Sequence, residues 1–256
     1  MRPTKGSNNV ARATQILLTL GSAERDGLSL GELSEILGDS KPNLHRALTS
    51  LAETGFVLQK VRRGKYQLGP AIYGLATRTP TVPELVKLAR PRLVEITAAT
   101  GLSSFLMLRA GLDTICVDMQ LGRISAPAMV DGIGGRVPLG AGLSGIALLG
   151  QLEAATVQEI LLSNEAELTA VGVTQAQIKD EIEAFQAKGY AVGKRAGDGF
   201  SNLTLAFPVS DLAPSGSQAS ISVLAPIALE TGQLLDDLIQ KIQAVLQKLQ
   251  LPPWQL

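Results

Sequence analysis

The chain has 256 residues, of which 45% are hydrophobic and 18% are charged, and its formal net charge is zero. This composition is sufficient for two domains of ordinary size with a buried core in each, and it excludes global disorder. No apolar stretch approaches the roughly 20 residues that cross a bilayer, and the N-terminus lacks a signal-peptide pattern. We therefore expect a cytoplasmic protein.

Three short helices are predicted near the start of the chain. Apolar residues at three- and four-residue spacing indicate a first helix over residues 10–20. Ser29 and Ser40 are candidate N-caps of two further helices, which end before Gly38 and Gly55. A tight turn containing glycine separates these two helices, which is typical of a helix-turn-helix whose second helix enters the major groove of DNA.

A β-hairpin with a basic tip is predicted after the third helix. The β-prone runs at residues 56–60 and 66–68 enclose Arg62, Arg63 and Lys65. Such a hairpin beside a recognition helix is a wing, and its cations would lie near DNA phosphates. A further short helix at 71–78 precedes a proline-rich break, so we predict a winged helix-turn-helix domain over residues 1–80.

Charge is distributed unevenly along the chain, in agreement with this prediction. Residues 1–80 contain eleven Lys or Arg and six Asp or Glu, a net charge of +5, whereas the remaining residues carry −5. A basic segment joined to an acidic one is typical of a DNA-contacting domain attached to a domain with another task. Chance variation among solvated side chains is the alternative interpretation.

The rest of the chain predicts a linker helix followed by an α+β domain. Residues 81–100 contain an amphipathic helix interrupted by Pro91, which we expect to link the domains and to pack against a partner subunit. Residues 101–256 alternate between the two periodicities, which predicts an antiparallel sheet with helices. The predicted strands are 103–109, 114–119, 190–195, 203–208 and 219–224, and the predicted helices are 143–149, 153–162, 175–187 and 232–249.

Candidate DNA contacts lie on the third helix and the wing. Arg46 projects away from the buried stripe of its helix, toward base edges or a phosphate, although a solvated surface arginine is the alternative. Lys41 and Asn43 lie at the helix start, and His45 either contacts DNA or is packed or solvated. Together with the wing cations, the predicted DNA-binding residues are Lys41, Asn43, His45, Arg46, Arg62, Arg63 and Lys65.

Candidate effector contacts lie in the second domain. Small residues before an apolar helix permit close backbone approach to a ligand, although they also fit a loop packed beneath a strand. Polar residues in or beside predicted strands need partners if they face inward, and Arg195 would be the counter-charge for a carboxylate. The predicted effector-binding residues are Gly140, Ala141, Gly142, Ser144, Arg195, Asp198, Thr204 and Ser222.

Catalytic and metal chemistry have few candidate residues. The chain contains one cysteine, Cys116, and one histidine, His45, which are too few for a Cys/His zinc site or for a disulfide. Cys116 lies between Ile115 and Val117, so we expect it to be a small core residue and not a nucleophile. We predict no catalytic residue, no metal and no cofactor.

Several segments together resemble the IclR family of bacterial transcription regulators, and the match covers nearly the whole chain. The resemblance implies a homodimer or homotetramer whose GAF-like C-terminal domain binds a small organic molecule, such as a carboxylate, and thereby alters DNA binding. The segments that carry it are residues 30–38, 41–48, 51–57, 65–70, 137–149, 205–209 and 220–226.

We therefore predict a sequence-specific transcription regulator that binds double-stranded DNA under the control of an effector. One alternative is an enzyme whose catalytic domain, residues 81–256, carries a basic module for localisation. Another is an interaction protein whose winged domain binds protein instead of DNA.

Overall fold

A computed structural model describes residues 8–24, 26–59, 64–79, 81–124, 126–130, 132–197, 200–212, 217–229 and 232–248. Contacts between residues divide the chain into two compact units, residues 1–80 and 81–256. None of the helices in the described ranges combines the length and the apolar content that a membrane span needs.

The first unit is a three-helix core with a two-stranded hairpin. Its elements are α1 (Asn8–Gly21), α2 (Leu30–Leu37), α3 (Lys41–Glu53), β1 (Val57–Gln59), β2 (Tyr66–Leu68) and α4 (Pro70–Ala76). The two strands pair antiparallel, and Leu28 adds an isolated bridge to Tyr66. Apolar side chains from all three helices meet the hairpin in one core, which includes the fully buried Ile16, Leu33, Leu44, Leu48 and Val57.

The turn between α2 and α3 has the expected helix-turn-helix geometry. Gly38 ends α2 with φ of 62°, a left-handed conformation that glycine adopts at little energetic cost because it has no Cβ.

The two helices differ in their N-caps. Ser29 forms a complete capping box at the start of α2, because its hydroxyl accepts a hydrogen bond from the Glu32 amide and its own amide donates to the Glu32 carboxylate. Ser40 occupies the N-cap position of α3, but its side chain makes no capping hydrogen bond.

The second unit is a six-stranded antiparallel sheet with helices on both faces, and the predicted α+β fold class is confirmed. The strand order is β5-β4-β3-β8-β7-β6. Its elements are α5 (Thr81–Thr100), β3 (Ser103–Ala110), β4 (Asp113–Gln120), β5 (Arg136–Pro138), α6 (Leu143–Leu149), α7 (Ala154–Ser163), α8 (Glu165–Ala170), α9 (Gln175–Lys188), β6 (Ala191–Gly197), β7 (Phe200–Pro208), β8 (Ala219–Ala225) and α10 (Gln233–Gln247).

The two faces of the sheet bury different sets of side chains, because successive strand residues point to opposite faces. On β8, Ile221 and Val223 join an apolar core with residues of α5 and α10. The alternate residues Ser222 and Leu224 point to the opposite face, where α6 lies and a second apolar core extends toward α7, α8 and α9. The sheet is therefore buried on both sides.

The helix α5 packs within the second unit. Its apolar stripe, Leu85, Ala89, Leu93 and Ile96, is fully buried against the sheet of its own unit, so that stripe is not available to a partner subunit. The helix continues from Thr81 to Thr100 with Pro91 inside it. The strand β5 was not predicted, because it ends in Pro138 within a glycine-rich segment, and the six-residue helix α8 was not predicted, because it is too short to show a period.

The two N-cap serines provide a matched test of the first unit. We expect Ser29→Ala to lower the free energy of unfolding by about 1 kcal/mol, because the variant loses the hydroxyl that accepts a hydrogen bond from the Glu32 amide, while the backbone half of the capping box is kept. Ser40→Ala is the control, and it should cost clearly less, because no capping bond is lost. Urea unfolding followed by circular dichroism measures both, and equal losses would contradict the assignment.

Candidate functional site

The exposed face of α3 carries the predicted DNA-binding side chains. Leu44 and Leu48 bury the opposite face of this helix in the core. Lys41, His45 and Arg46 are exposed to solvent, and Asn43 is half-buried. The structure therefore brings the four predicted residues of this helix onto the side that a DNA groove could reach.

A chain of polar contacts connects α1 to the exposed face of α3. Arg12 pairs with the carboxylate of Asp39 in the helix-turn-helix turn. That carboxylate also accepts a hydrogen bond from the Asn43 amide at 3.2 Å, and the Asn43 oxygen accepts one from Arg46 at 2.6 Å. The Arg12 hydrogen bond holds the pKa of Asp39 below its ordinary value of 3.8. Arg46 is therefore oriented by neighbours, while Asn43 already uses both ends of its amide within the protein.

Arg12, which was not predicted as a site residue, shares a cleft between α1 and α3 with Arg46 and Ser50. The charge of Arg12 is compensated by Asp39, so Arg46 is the guanidinium of this cleft whose charge is available to an anion such as a DNA phosphate. Arg12 contacts Asp39 across 27 residues of sequence, so no local pattern could have indicated its position. On the wing, Lys65 is exposed, whereas Arg62 and Arg63 lie outside the described residues.

The second unit contains a small cavity between the sheet and the start of α6. Its volume is about 40 Å³, which leaves room for about three water molecules. Five of the predicted effector residues line it: Gly142, Ser144, Arg195, Thr204 and Ser222. The remaining lining residues, which sequence reasoning missed, are Phe105, Met107, Ala128, Met129, Val130, Val137, Leu143, Asn202 and Leu224.

Three buried polar side chains from neighbouring strands face this cavity. Asn202 and Thr204 alternate along β7, and Ser222 lies on the adjacent β8. The Thr204 hydroxyl donates to the Asn202 oxygen at 2.7 Å, and the Asn202 amide donates to the Pro127 carbonyl at 2.6 Å. The Ser222 hydroxyl is buried and has no hydrogen-bond partner among the residues that the structure describes. A buried polar group without a partner is costly, so a ligand that hydrogen-bonds to Ser222 would be favoured.

The charge of Arg195 is compensated within the protein. Its guanidinium makes two hydrogen bonds to Glu181 of α9, at 2.8 and 2.7 Å. It also donates to the carbonyls of Ala141 and Lys194. The expectation that Arg195 is a counter-charge for an acidic effector does not fit this geometry, because a bidentate carboxylate already occupies that role.

The structure does not bring Gly140 and Ala141, which were also predicted, to the cavity wall. Gly140 has φ of 99°, and a Cβ added there would lie 2.9 Å from Ile178, so this glycine is required for backbone conformation and close packing. Ala141 is buried in the apolar core, and it reaches the site only through the carbonyl that accepts from Arg195. Asp198 lies outside the described residues.

Cys116 lies in an apolar cluster with Phe105 and Met107, behind the cavity lining. It is 1% exposed, and burial raises the pKa of its thiol from 9.0 to about 11. A thiol of such a pKa is a poor nucleophile at neutral pH, in agreement with the predicted core role. Within the described residues, no group of three or more His, Cys, Asp and Glu side chains could hold a metal ion.

Comparison with known protein families identifies both units. Residues 9–60 match the IclR helix-turn-helix domain, and residues 79–251 match the family described as bacterial transcriptional regulator IclR C-terminal. An HTH-type transcriptional regulator of Mycobacterium tuberculosis is 31% identical to this chain over 194 residues, which cover 73% of this chain and 71% of the relative.

Solved structures show the same fold. A crystal structure of an IclR transcriptional regulator from a Silicibacter species has a TM-score of 0.72 and 26% identity, and the match covers 96% of this chain and 98% of that one. An IclR homologue from Microbacterium hydrocarbonoxydans, complexed with 4-hydroxybenzoate, has a TM-score of 0.61 and 17% identity, and the match covers 94% and 100% of the two chains.

Alkylation tests the burial of Cys116. We expect iodoacetamide to leave the folded protein unlabelled at about pH 8, because only the thiolate reacts, and to label it fully in guanidinium chloride. Fast labelling of the folded protein would contradict the assignment.

The raised pKa also predicts a pH dependence of stability. The folded state holds the Cys116 thiol proton more tightly than the unfolded state does. The thiol's contribution to the free energy of unfolding is therefore complete below about pH 9, and it is lost as the pH rises toward about 11. Cys116→Ala is the control, and its free energy of unfolding should decline less over this interval.

Proposed function

The chain belongs to the IclR family of bacterial transcription regulators, and we propose that a small molecule in the cavity of the second unit controls its affinity for DNA. The protein is a transcription regulator with a helix-turn-helix DNA-binding domain and a C-terminal effector-binding domain. The observation that carries the proposed cavity assignment is the buried Ser222 hydroxyl, which lacks a partner in a cavity lined mainly by apolar side chains.

We assign DNA recognition to the exposed face of α3. Lys41, His45 and Arg46 would enter the major groove, while Asn43 would act by orienting Arg46. Arg12 would act through Asp39 and Asn43, which it holds in place beside Arg46. Lys65 of the wing would add a further phosphate contact, as would Arg62 and Arg63, which lie outside the described residues.

We assign effector binding to the cavity residues Gly142, Ser144, Thr204 and Ser222. The small organic ligand in the Microbacterium homologue supports a small-molecule effector for a protein of this fold. The effector would act by differential affinity, since a ligand shifts an equilibrium only if it binds one conformation of the protein better than another.

The regulator would act as a homodimer or homotetramer in the cytoplasm, where the DNA is. Two copies of α3 would then contact the two halves of a pseudo-palindromic site. Apolar side chains exposed on the first unit support self-association, with Val10 of α1 at 66% exposure and Tyr73 and Leu75 of α4 at 75% and 58%. Light scattering after size exclusion should give at least twice the mass of one chain.

We consider the enzyme and protein-interaction hypotheses less favoured. The relatives are named as transcriptional regulators, and the chain has no histidine beyond His45 to serve as a general base in the second unit. Turnover of a bound ligand would support an enzyme. Absence of any salt-dependent binding to duplex DNA would favour the protein-interaction module.

Two substitutions separate base recognition from phosphate contact. On an operator selected from random duplexes, Arg46→Ala should weaken binding by about 1 to 3 kcal/mol and reduce discrimination against other sequences. Lys65→Ala should instead weaken binding to all sequences alike and lower the salt slope by about 1. Fluorescence anisotropy over a series of salt concentrations measures both effects.

Lys188→Ala is the matched control, because it removes one exposed charge from α9 in the second unit. Its operator affinity and salt slope should equal those of the parent protein. If Arg46→Ala and Lys65→Ala also behave like the parent, the assignment of α3 and the wing is wrong.

A further inference from the structure

We propose that the cavity selects a small uncharged hydroxyl compound, an alcohol or a phenol, and discriminates against a carboxylate of similar shape. This inference rests on the proposed function in taking the cavity as the effector site. It follows from three observations on the cavity wall: its charge, its hydrogen-bonding groups and its apolar surface.

The described wall offers no uncompensated positive charge. Arg195 is the cationic residue among the lining residues, and it is 6% exposed and bound to both carboxylate oxygens of Glu181. An anionic ligand would lose its hydration and would also meet the charge of Glu181 behind Arg195. A neutral ligand has no charge to dehydrate, and Glu181 does not repel it.

Two of the three hydroxyl groups that line the wall, those of Thr204 and Ser222, favour one kind of polar group; the third belongs to Ser144. The Thr204 hydroxyl donates its proton to Asn202, whose own amide is used by Pro127, so Thr204 can only accept from a ligand. The Ser222 hydroxyl has no partner, so it can donate. A ligand hydroxyl can both donate to Thr204 and accept from Ser222, whereas a carboxylate has no proton to donate.

The rest of the wall fits an apolar body. Phe105, Leu143 and Leu224 line the cavity together with Met107 and Met129. Methionine side chains are unbranched and adapt to the shape of the groups that they contact. Met107 and Met129 can therefore move to enlarge the cavity of about 40 Å³. A compact ring or short chain carrying one hydroxyl is the ligand class that matches all three features.

Three compounds of similar shape test this selectivity on the full chain. Phenol carries the hydroxyl, toluene replaces it with a methyl group, and benzoate carries the charge. Isothermal titration calorimetry and thermal unfolding should show that phenol binds most tightly and raises the melting temperature most. Benzoate binding at least as tight as phenol binding would overturn the proposal, and so would failure of phenol to bind.

Substitutions at two positions assign the selectivity to named groups. Ser222→Ala should weaken phenol binding about fivefold and leave toluene binding unchanged. The exposed Ser201→Ala on β7 is the control, and it should bind phenol like the parent. Unchanged phenol affinity in Ser222→Ala would overturn the role of the hydroxyl.

Glu181→Gln removes the carboxylate charge that neutralises Arg195. The variant should bind benzoate about tenfold more tightly than the parent does, because the guanidinium then becomes an uncompensated cation. Unchanged benzoate affinity in a folded variant would overturn the inference that Glu181 keeps Arg195 from attracting an anion. The comparison of the three compounds on the parent protein does not depend on this variant.

Failure of this inference differs from failure of the proposed function. Operator binding by the ligand-free chain is measured on the same preparation. If phenol binds selectively but leaves operator affinity unchanged, the ligand class stands and control of DNA binding from this cavity fails. If operator affinity responds to benzoate and not to phenol, the cavity remains the control site and the ligand class is wrong.

Discussion

The second unit depends on one constraint, which is that both faces of its sheet are buried. Each strand must present side chains suited to two different environments at alternate positions. On β8, Ile221 and Val223 meet α5 and α10 in an apolar core, whereas Ser220 and Ser222 face α6. The same alternation on β7 places Asn202 and Thr204 beside Ser222. These polar groups therefore converge on the second face, among the apolar side chains that line the cavity there.

Carboxylates determine how arginines act in both units. In the first unit Asp39 pairs with Arg12 and orients Asn43, which in turn holds Arg46 on the exposed face of α3. Arg46 keeps its positive charge for DNA because its partner is a neutral amide. In the second unit Glu181 pairs directly with the buried Arg195, which removes the attraction that a free guanidinium would exert on an anion. The same residue type therefore has an uncompensated charge at the surface and a compensated charge in the interior.

Much of the fold could be predicted because its long elements repeat their apolar residues with a clear period. The helices α1, α2, α3 and α9 and the strands β3, β4 and β8 were predicted within a few residues of their ends. The strand β5 was missed because it ends in a proline within a glycine-rich segment, and the helix α8 was missed because six residues hold too little of a period. In the cavity, Phe105, Met107 and Leu224 were missed because an apolar strand residue has the same sequence pattern whether it lines a cavity or fills a core.

The sequence by itself determined the winged helix-turn-helix, the antiparallel α+β domain and the exposed cations of α3, since these follow from local periodicity, caps and turns. Only the tertiary structure decided which polar side chains have partners within the protein and which are available to a ligand. Arg195 and Glu181 are 14 residues apart on different elements, and Arg12 and Asp39 are 27 apart. Packing of the chain sets such contacts, and no local pattern encodes them. The physical reason is that a side chain's charge and hydrogen-bonding capacity are available to a ligand only after its neighbours in the fold have been satisfied.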